Sequence, residues 1–112
     1  MIEKYIQFFV RPDVYLTRKF IRSNLDTVSV YGIGDLGKSV VRLLEEKQIK
    51  VNQWYDSSVS IEAGNLLGYP LCHKSLLAND NADAIILATE LYADQMQVIC
   101  HENGFKGHII RL

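Results

Sequence analysis

Cysteine is scarce in this chain, with two in 112 residues, Cys72 and Cys100. Two thiols exclude a disulfide framework and a four-cysteine zinc site, and they suit a reducing compartment. Each precedes a histidine, Cys72-His73 and Cys100-His101. Adjacent residues diverge on a helix or strand, and no third ligand follows at a finger-like spacing, so both read as half-buried thiols and no metal is expected. A basic excess is also lacking. Twelve Lys and Arg stand against thirteen Asp and Glu, a net charge of −1, which leaves nothing to neutralise a run of phosphates and argues against a nucleic-acid partner. No run approaches the roughly 18 uncharged residues that cross a bilayer. Met1-Ile-Glu-Lys lacks the apolar core of a signal peptide. The expectation is a soluble, unprocessed, cytoplasmic protein with no membrane insertion.

The composition, 48% hydrophobic and 22% charged, is that of a globular chain that buries a core without staples, and the length suits one compact domain. From Val28 onward short apolar runs alternate with helical patterns, the signature of βα units on a parallel sheet. Strands are predicted at Val28–Ile33, Lys50–Tyr55, Tyr69–Cys72, Ala84–Ala88 and His108–Arg111. Helices are predicted over about Asp35–Lys47, His73–Asn79, and from Ala93 until Gly104 terminates it in a left-handed conformation. Ser57–Gly68 is polar and glycine-punctuated and reads as a loop. The expected architecture is α/β, with five parallel strands in the order 3-2-1-4-5 and crossover helices. Residues 1–27 break the rhythm and form an N-terminal extension to the 28–112 domain. Ile2, Tyr5, Ile6 and Phe9 make one helical stripe, and Val14, Thr17, Phe20, Ile21 and Leu25 a second after Pro12, so two extra helices are expected. Tyr5, Phe8, Phe9, Tyr15 and Phe20 either cover the flank of the sheet or form an apolar patch for a homodimer or a partner enzyme.

The informative motif is Gly32-Ile-Gly34-Asp-Leu-Gly37 between the first strand and its helix. Gly32 allows a tight turn, Gly34 lets a pyrophosphate approach the backbone, and Gly37 lets helix and strand pack closely. The free N–H groups and dipole of the helix start attract the phosphates. Asp56 closes the second strand 19 positions after Gly37, placed to accept hydrogen bonds from a ribose diol and to repel a 2′-phosphate, which favours NAD over NADP. Asp35, in the first helical turn, must point outward. The same segment, through Lys38-Ser39, also fits Gly-x-x-x-x-Gly-Lys-Ser, the phosphate loop of nucleotide hydrolases. Such an enzyme needs an acidic strand end for magnesium, whereas the fourth strand ends in Thr89-Glu90. The glycines could also make nothing more than a strand–helix turn. Tyr15-Leu-Thr-Arg-Lys19 fits a Tyr-x-x-x-Lys pair but lies upstream of the glycines, and no Gly-x-Ser-x-Gly elbow exists. No catalytic residue is assigned.

Tyr31-Gly-Ile-Gly-Asp-Leu-Gly-Lys38, Val51–Asp56, Gly68-Tyr-Pro-Leu-Cys72, Asp83-Ala-Ile-Ile-Leu-Ala-Thr89 and Asn103-Gly-Phe-Lys106 together resemble the small Rossmann-type nucleotide-binding domains attached to nucleotide-sugar and polysaccharide-processing enzymes, among them dehydratases, acyltransferases and sugar methyltransferases. The resemblance spans Val28–Leu112. It implies nucleotide contacts at Gly32, Gly34, Gly37 and Asp56, with Thr89 and Glu90 beside the cleft. Asp35 and Leu36 at the helix start and Ser57 after Asp56 complete the candidate set. Gln48 departs from the pattern, since such domains often place glycine there to end the helix. The expected function is binding of NAD(H), or else of a nucleotide-sugar, in the service of nucleotide-sugar or polysaccharide metabolism, without an independent catalytic domain. An assembly or regulatory module with an empty nucleotide cleft is the other reading.

Overall fold

The structure, a computed structural model, describes residues 11–58 and 64–112. Helix α1 (Pro12–Arg22) is followed by β1 (Val28–Tyr31), α2 (Asp35–Glu46) and β2 (Val51–Tyr55). After these come β3 (Asn65–Leu66), β4 (Tyr69–Cys72), a 3₁₀ helix (Lys74–Asn79), β5 (Ala84–Leu87), α3 (Ala93–Glu102) and β6 (His108–Ile110). The strands form one sheet in the order β3-β4-β2-β1-β5-β6. All pairings are parallel except β3 with β4. The fold is therefore α/β with a mostly parallel sheet, as the alternating pattern predicts.

Two expectations need correction. The sheet has six strands rather than five, because Asn65–Leu66, expected within a loop, folds back on Tyr69–Pro70. Leu67 and Gly68 form the turn with φ of 52° and 82°, the double left-handed geometry of a tight hairpin that asparagine or glycine usually announces. The crossovers are also not all helical. Among the described residues the β2–β4 link carries this hairpin strand, and the β4–β5 link carries a 3₁₀ helix. The first of the two expected N-terminal helices falls outside the described residues. In the second, Pro12 takes the first-turn position where its missing N–H costs nothing. That helix stops at Arg22 rather than Leu25, as Asn24 turns left-handed with φ 59°.

Two apolar layers sandwich the sheet. On one face Val28, Val30, Val51, Trp54 and Ile86 pack against Leu16 and Phe20 of α1 and Val40, Val41 and Leu44 of α2. On the other, Tyr31, Tyr55, Ile85 and Leu87 pack with Leu77, Met96, Cys100 and Phe105. Of the α1 stripe, Thr17 and Phe20 are buried inside the chain, whereas Ile21 stays exposed. Phe20 is core rather than surface patch, while Tyr15 is half-buried and Tyr5, Phe8 and Phe9 lie outside the described residues.

Helix α2 ends in a paired-bond cap, Ile49 N–H to Leu44 O at 2.9 Å and Gln48 N–H to Glu45 O at 2.8 Å. Helix α3 ends the same way, Phe105 N–H to Cys100 O and Gly104 N–H to His101 O. Gly104, at φ 81°, turns left-handed as the sequence predicts, and Gln48 performs the same turn at φ 61° despite its side chain.

Between β1 and β2 the register slips, Val28 facing Val51 but Val30 facing Trp54, so β2 carries one extra residue, a bulge. The Ser29 hydroxyl fills the gap, accepting from Gln53 N–H at 3.2 Å and donating to Asp80 Oδ2 at 2.5 Å. Asp80 is buried and also accepts from Asn52 Nδ2 at 2.8 Å, the Tyr55 hydroxyl at 2.8 Å and Ala82 N–H at 2.9 Å. A carboxylate so surrounded is satisfied on both oxygens, which is the condition for burying it. Burial, with Asp80 as neighbour, pushes the Tyr55 hydroxyl far above its ordinary pKa and keeps it a donor.

Candidate functional site at the carboxyl edge of the sheet

Tyr31 stands beside Tyr55 on one side and Leu87 on the other, so β1, β2 and β5 end level. Gly32 N–H donates to Tyr55 O at 2.7 Å, and Ala88 N–H to Tyr31 O at 2.9 Å. The segments that follow, Gly32–Gly37, Asp56–Ser57 and Thr89–Glu90, therefore leave the sheet side by side along one edge. Residues spread over nearly 60 positions of sequence converge there.

The three glycines differ in why they are glycine. Gly32 has φ 121°, and a Cβ on it would lie 2.8 Å from Ala88 O. Gly37 sits inside α2 over the turn, where a Cβ would fall 2.0 Å from Gly32 O. Both are demanded by the fold. Gly34 has φ −71° and ψ −169°, backbone that other residues adopt, and a Cβ there would meet nothing within 4 Å. Neither strain nor packing within the described chain requires glycine at position 34. Below the turn the indole of Trp54 donates from Nε1 to Gly32 O at 2.6 Å, so the loop is pinned from inside.

Gly34 is also the N-cap of α2, and no side chain caps the helix. The first intrahelical bond is Lys38 N–H to Gly34 O at 3.0 Å, so the N–H groups of Asp35, Leu36 and Gly37 precede the ladder and face outward from it. Together with the helix dipole they make a patch of positive potential beside an open glycine. Asp35 is exposed, and the Leu36 side chain packs on the core, so Leu36 can offer a ligand only its backbone.

Asp56 is half-buried; its Oδ2 accepts from the Ser58 N–H at 2.9 Å and from the Ser58 hydroxyl. Ser57 Oγ lies 3.0 Å from the hydroxyl of Tyr31, and burial raises the Tyr31 pKa more than this hydrogen bond lowers it. Thr89 is buried, and its Oγ1 accepts from Leu91 N–H at 3.3 Å and Tyr92 N–H at 3.0 Å. Its acceptor is thus committed to the entry of α3. Glu90 is exposed. Sequence reasoning missed Trp54, Tyr31 and Ser58, which support the loop and the acid. A tryptophan two residues before the strand-end acid was the available signal.

The remaining motifs resolve differently. Helix α2 begins at Asp35, two residues before the Gly37-Lys38-Ser39 that would open it in a hydrolase phosphate loop. Lys19 Nζ stands 5.7 Å from the ring centroid of Tyr15 and donates to Arg111 O at 3.2 Å, at the β6 end of the sheet with β5 between it and the glycine turn. His73 Nδ1 accepts from Ser75 N–H and caps the 3₁₀ helix. Cys72 and Cys100 are buried thiols; burial raises both, Cys100 to about 12. Among the described residues no three His, Cys, Asp or Glu side chains gather as a metal site, and no helix is long and apolar enough to cross a membrane.

No family model matches this chain, and a search of curated proteins and of solved structures returned no match.

Proposed function

We propose that the chain is a Rossmann-type domain that binds a dinucleotide, NAD(H), with the pyrophosphate over Gly34 and the start of α2 and the adenosine ribose on Asp56. The observation that carries this reading is the unexplained glycine. Gly32 and Gly37 answer to the fold, while Gly34 leaves an opening against a ring of free N–H groups, the space a phosphate needs to reach backbone donors. Asp56 retains a second carboxylate oxygen, beyond the one engaged by Ser58, to accept from a ribose diol, and its charge disfavours a 2′-phosphate. The parallel strands run in the order β4-β2-β1-β5-β6. The chain reverses direction across the sheet between β1 and β5, the switch point at which open α/β sheets bind ligands. A nucleotide-sugar shares the diphosphate and competes for the same turn. By the resemblance drawn above, the setting is nucleotide-sugar or polysaccharide metabolism, with the catalytic groups supplied by a partner or another domain.

Thermal unfolding with NAD, NADP, magnesium-ATP and a uridine diphosphate sugar tests the reading. NAD at a hundred times its dissociation constant stabilises the fold by about 2.7 kcal/mol, and NADP by much less. Gly34→Ala keeps the parent melting temperature and loses the NAD shift. If neither NAD nor the nucleotide-sugar shifts the parent at millimolar concentration, or if Gly34→Ala binds as the parent does, the reading fails.

A further inference from the structure

Away from the glycine turn, α1 and α2 enclose a cavity of about 310 Å³ lined by Val14, Thr17, Arg18, Ile21, Arg22, Leu43 and Lys47. Its apolar lining comes from Val14, Ile21 and Leu43, and three cations stand around it. The described residues supply no ion pair for Arg18, Arg22 or Lys47; the two pairs they form are Arg11 with Asp13 and Arg111 with Asp94. The charge is concentrated against the trend of the chain. Positions 11–22 hold four cations and one acid, in a protein whose net charge is −1. An isolated cation is an ordinary surface feature. Three of them converging on one apolar cleft make a surface complementary to an anionic amphiphile.

We infer that this cleft docks an acidic amphipathic helix of a partner protein, which inserts one bulky apolar side chain between α1 and α2 and sets carboxylates against Arg18, Arg22 and Lys47. The cation spacing selects a helix. Arg18 and Arg22 are four residues apart on α1, one turn, which matches two carboxylates one turn apart on a facing helix. Guanidinium groups take carboxylates bidentately, and the cleft has room for an inserted apolar side chain. A flat anionic membrane would use the charge but not the concavity. The inference is independent of the nucleotide reading, since it uses none of the carboxyl-edge residues.

The test uses the full chain and a fluorescein-labelled, helix-stapled peptide carrying two glutamates one turn apart around a phenylalanine, read by anisotropy and by amide chemical shifts. Micromolar binding is expected, with shifts centred on Val14, Arg18, Ile21, Leu43 and Lys47. It should weaken at least tenfold in Arg18→Glu and in Lys47→Glu, and to a similar extent when the peptide glutamates become glutamines. Both positions are exposed, so circular dichroism and urea unfolding followed by Trp54 emission serve as checks that the variants fold. Three results would overturn the proposal: no binding at millimolar peptide, shifts elsewhere on the protein, or charge-reversal variants that bind as the parent does. Charge-dependent binding to phosphatidylglycerol vesicles without peptide binding would assign the surface to lipid instead.

Discussion

Gly37→Ala is the substitution from which the fold should suffer most for a single methyl group. The new Cβ would stand 2.0 Å from Gly32 O and 2.7 Å from Gly32 C, both backbone atoms that no rotamer change can move. Relief requires α2 to lift from the turn. Overpacking of this kind costs about 1–3 kcal/mol. Displacing Gly32 O also strains the bond from Trp54 Nε1, and an orphaned buried indole N–H adds about 1–3 kcal/mol. Alanine returns about 1 kcal/mol of helix propensity over glycine. The balance is a loss of about 1–5 kcal/mol from a total of about 5–15, or a fall of about 4–20 °C in melting temperature at this size. Urea unfolding followed by tryptophan emission measures it directly, since Trp54 is the single tryptophan and is fully buried. A Gly37→Ala protein within about 0.5 kcal/mol of the parent, the scatter of a neutral surface change, would refute the close-contact argument.

Gln48→Gly should stabilise the chain by about 0.5–1 kcal/mol, since glycine removes the left-handed penalty at φ 61° and gives back part of it as unfolded-state entropy; equal or lower stability in urea counts against the helix-end argument. Asp80→Ala leaves the buried Ser29 hydroxyl and Ala82 N–H without their acceptor, while Tyr55 keeps Gln53 Oε1, and should cost at least about 2 kcal/mol; a loss below about 1 kcal/mol in the same assay would show that the network contributes little. Asp83 accepts from the Asp26 and Thr27 N–H groups, and these bonds hold its carboxyl below the ordinary value of 3.8. Its contribution is therefore complete above the usual carboxylate range and is lost as pH falls through the lowered folded-state pKa. Asp83→Asn should flatten that part of the acid-unfolding profile, and an unchanged profile would assign the acid sensitivity elsewhere.

What the sequence disclosed and what it hid divide along physical lines. The runs at Val28 and Ala84 are apolar because these central parallel strands are buried along their whole length, so their burial is written in composition. The glycine turn was legible for a similar reason, because φ 121° at Gly32 and the approach at Gly37 admit one residue type. The β3–β4 hairpin was hidden because Leu67 takes the left-handed position with φ 52°, where no local propensity points. The Asp80 network was hidden too. Asn79-Asp-Asn-Ala82 reads as a polar turn, and its burial depends on Ser29 and Tyr55 arriving from strands 51 and 25 residues away. The distinction among the three glycines also needed coordinates, since the motif is silent on which of them the fold itself consumes.

Among the described residues the sheet ends on one side in β3, two residues long, and on the other in β6, three residues long. A strand from another molecule would find few unpaired backbone groups to continue along at either margin, and His108 on β6 is exposed and polar. Lateral growth of the sheet, the common route to fibrils and to strand-exchanged pairs, is thereby curtailed. A partner that docks on the described helices and loops leaves the hydrogen-bond ladder beneath the glycine turn undisturbed.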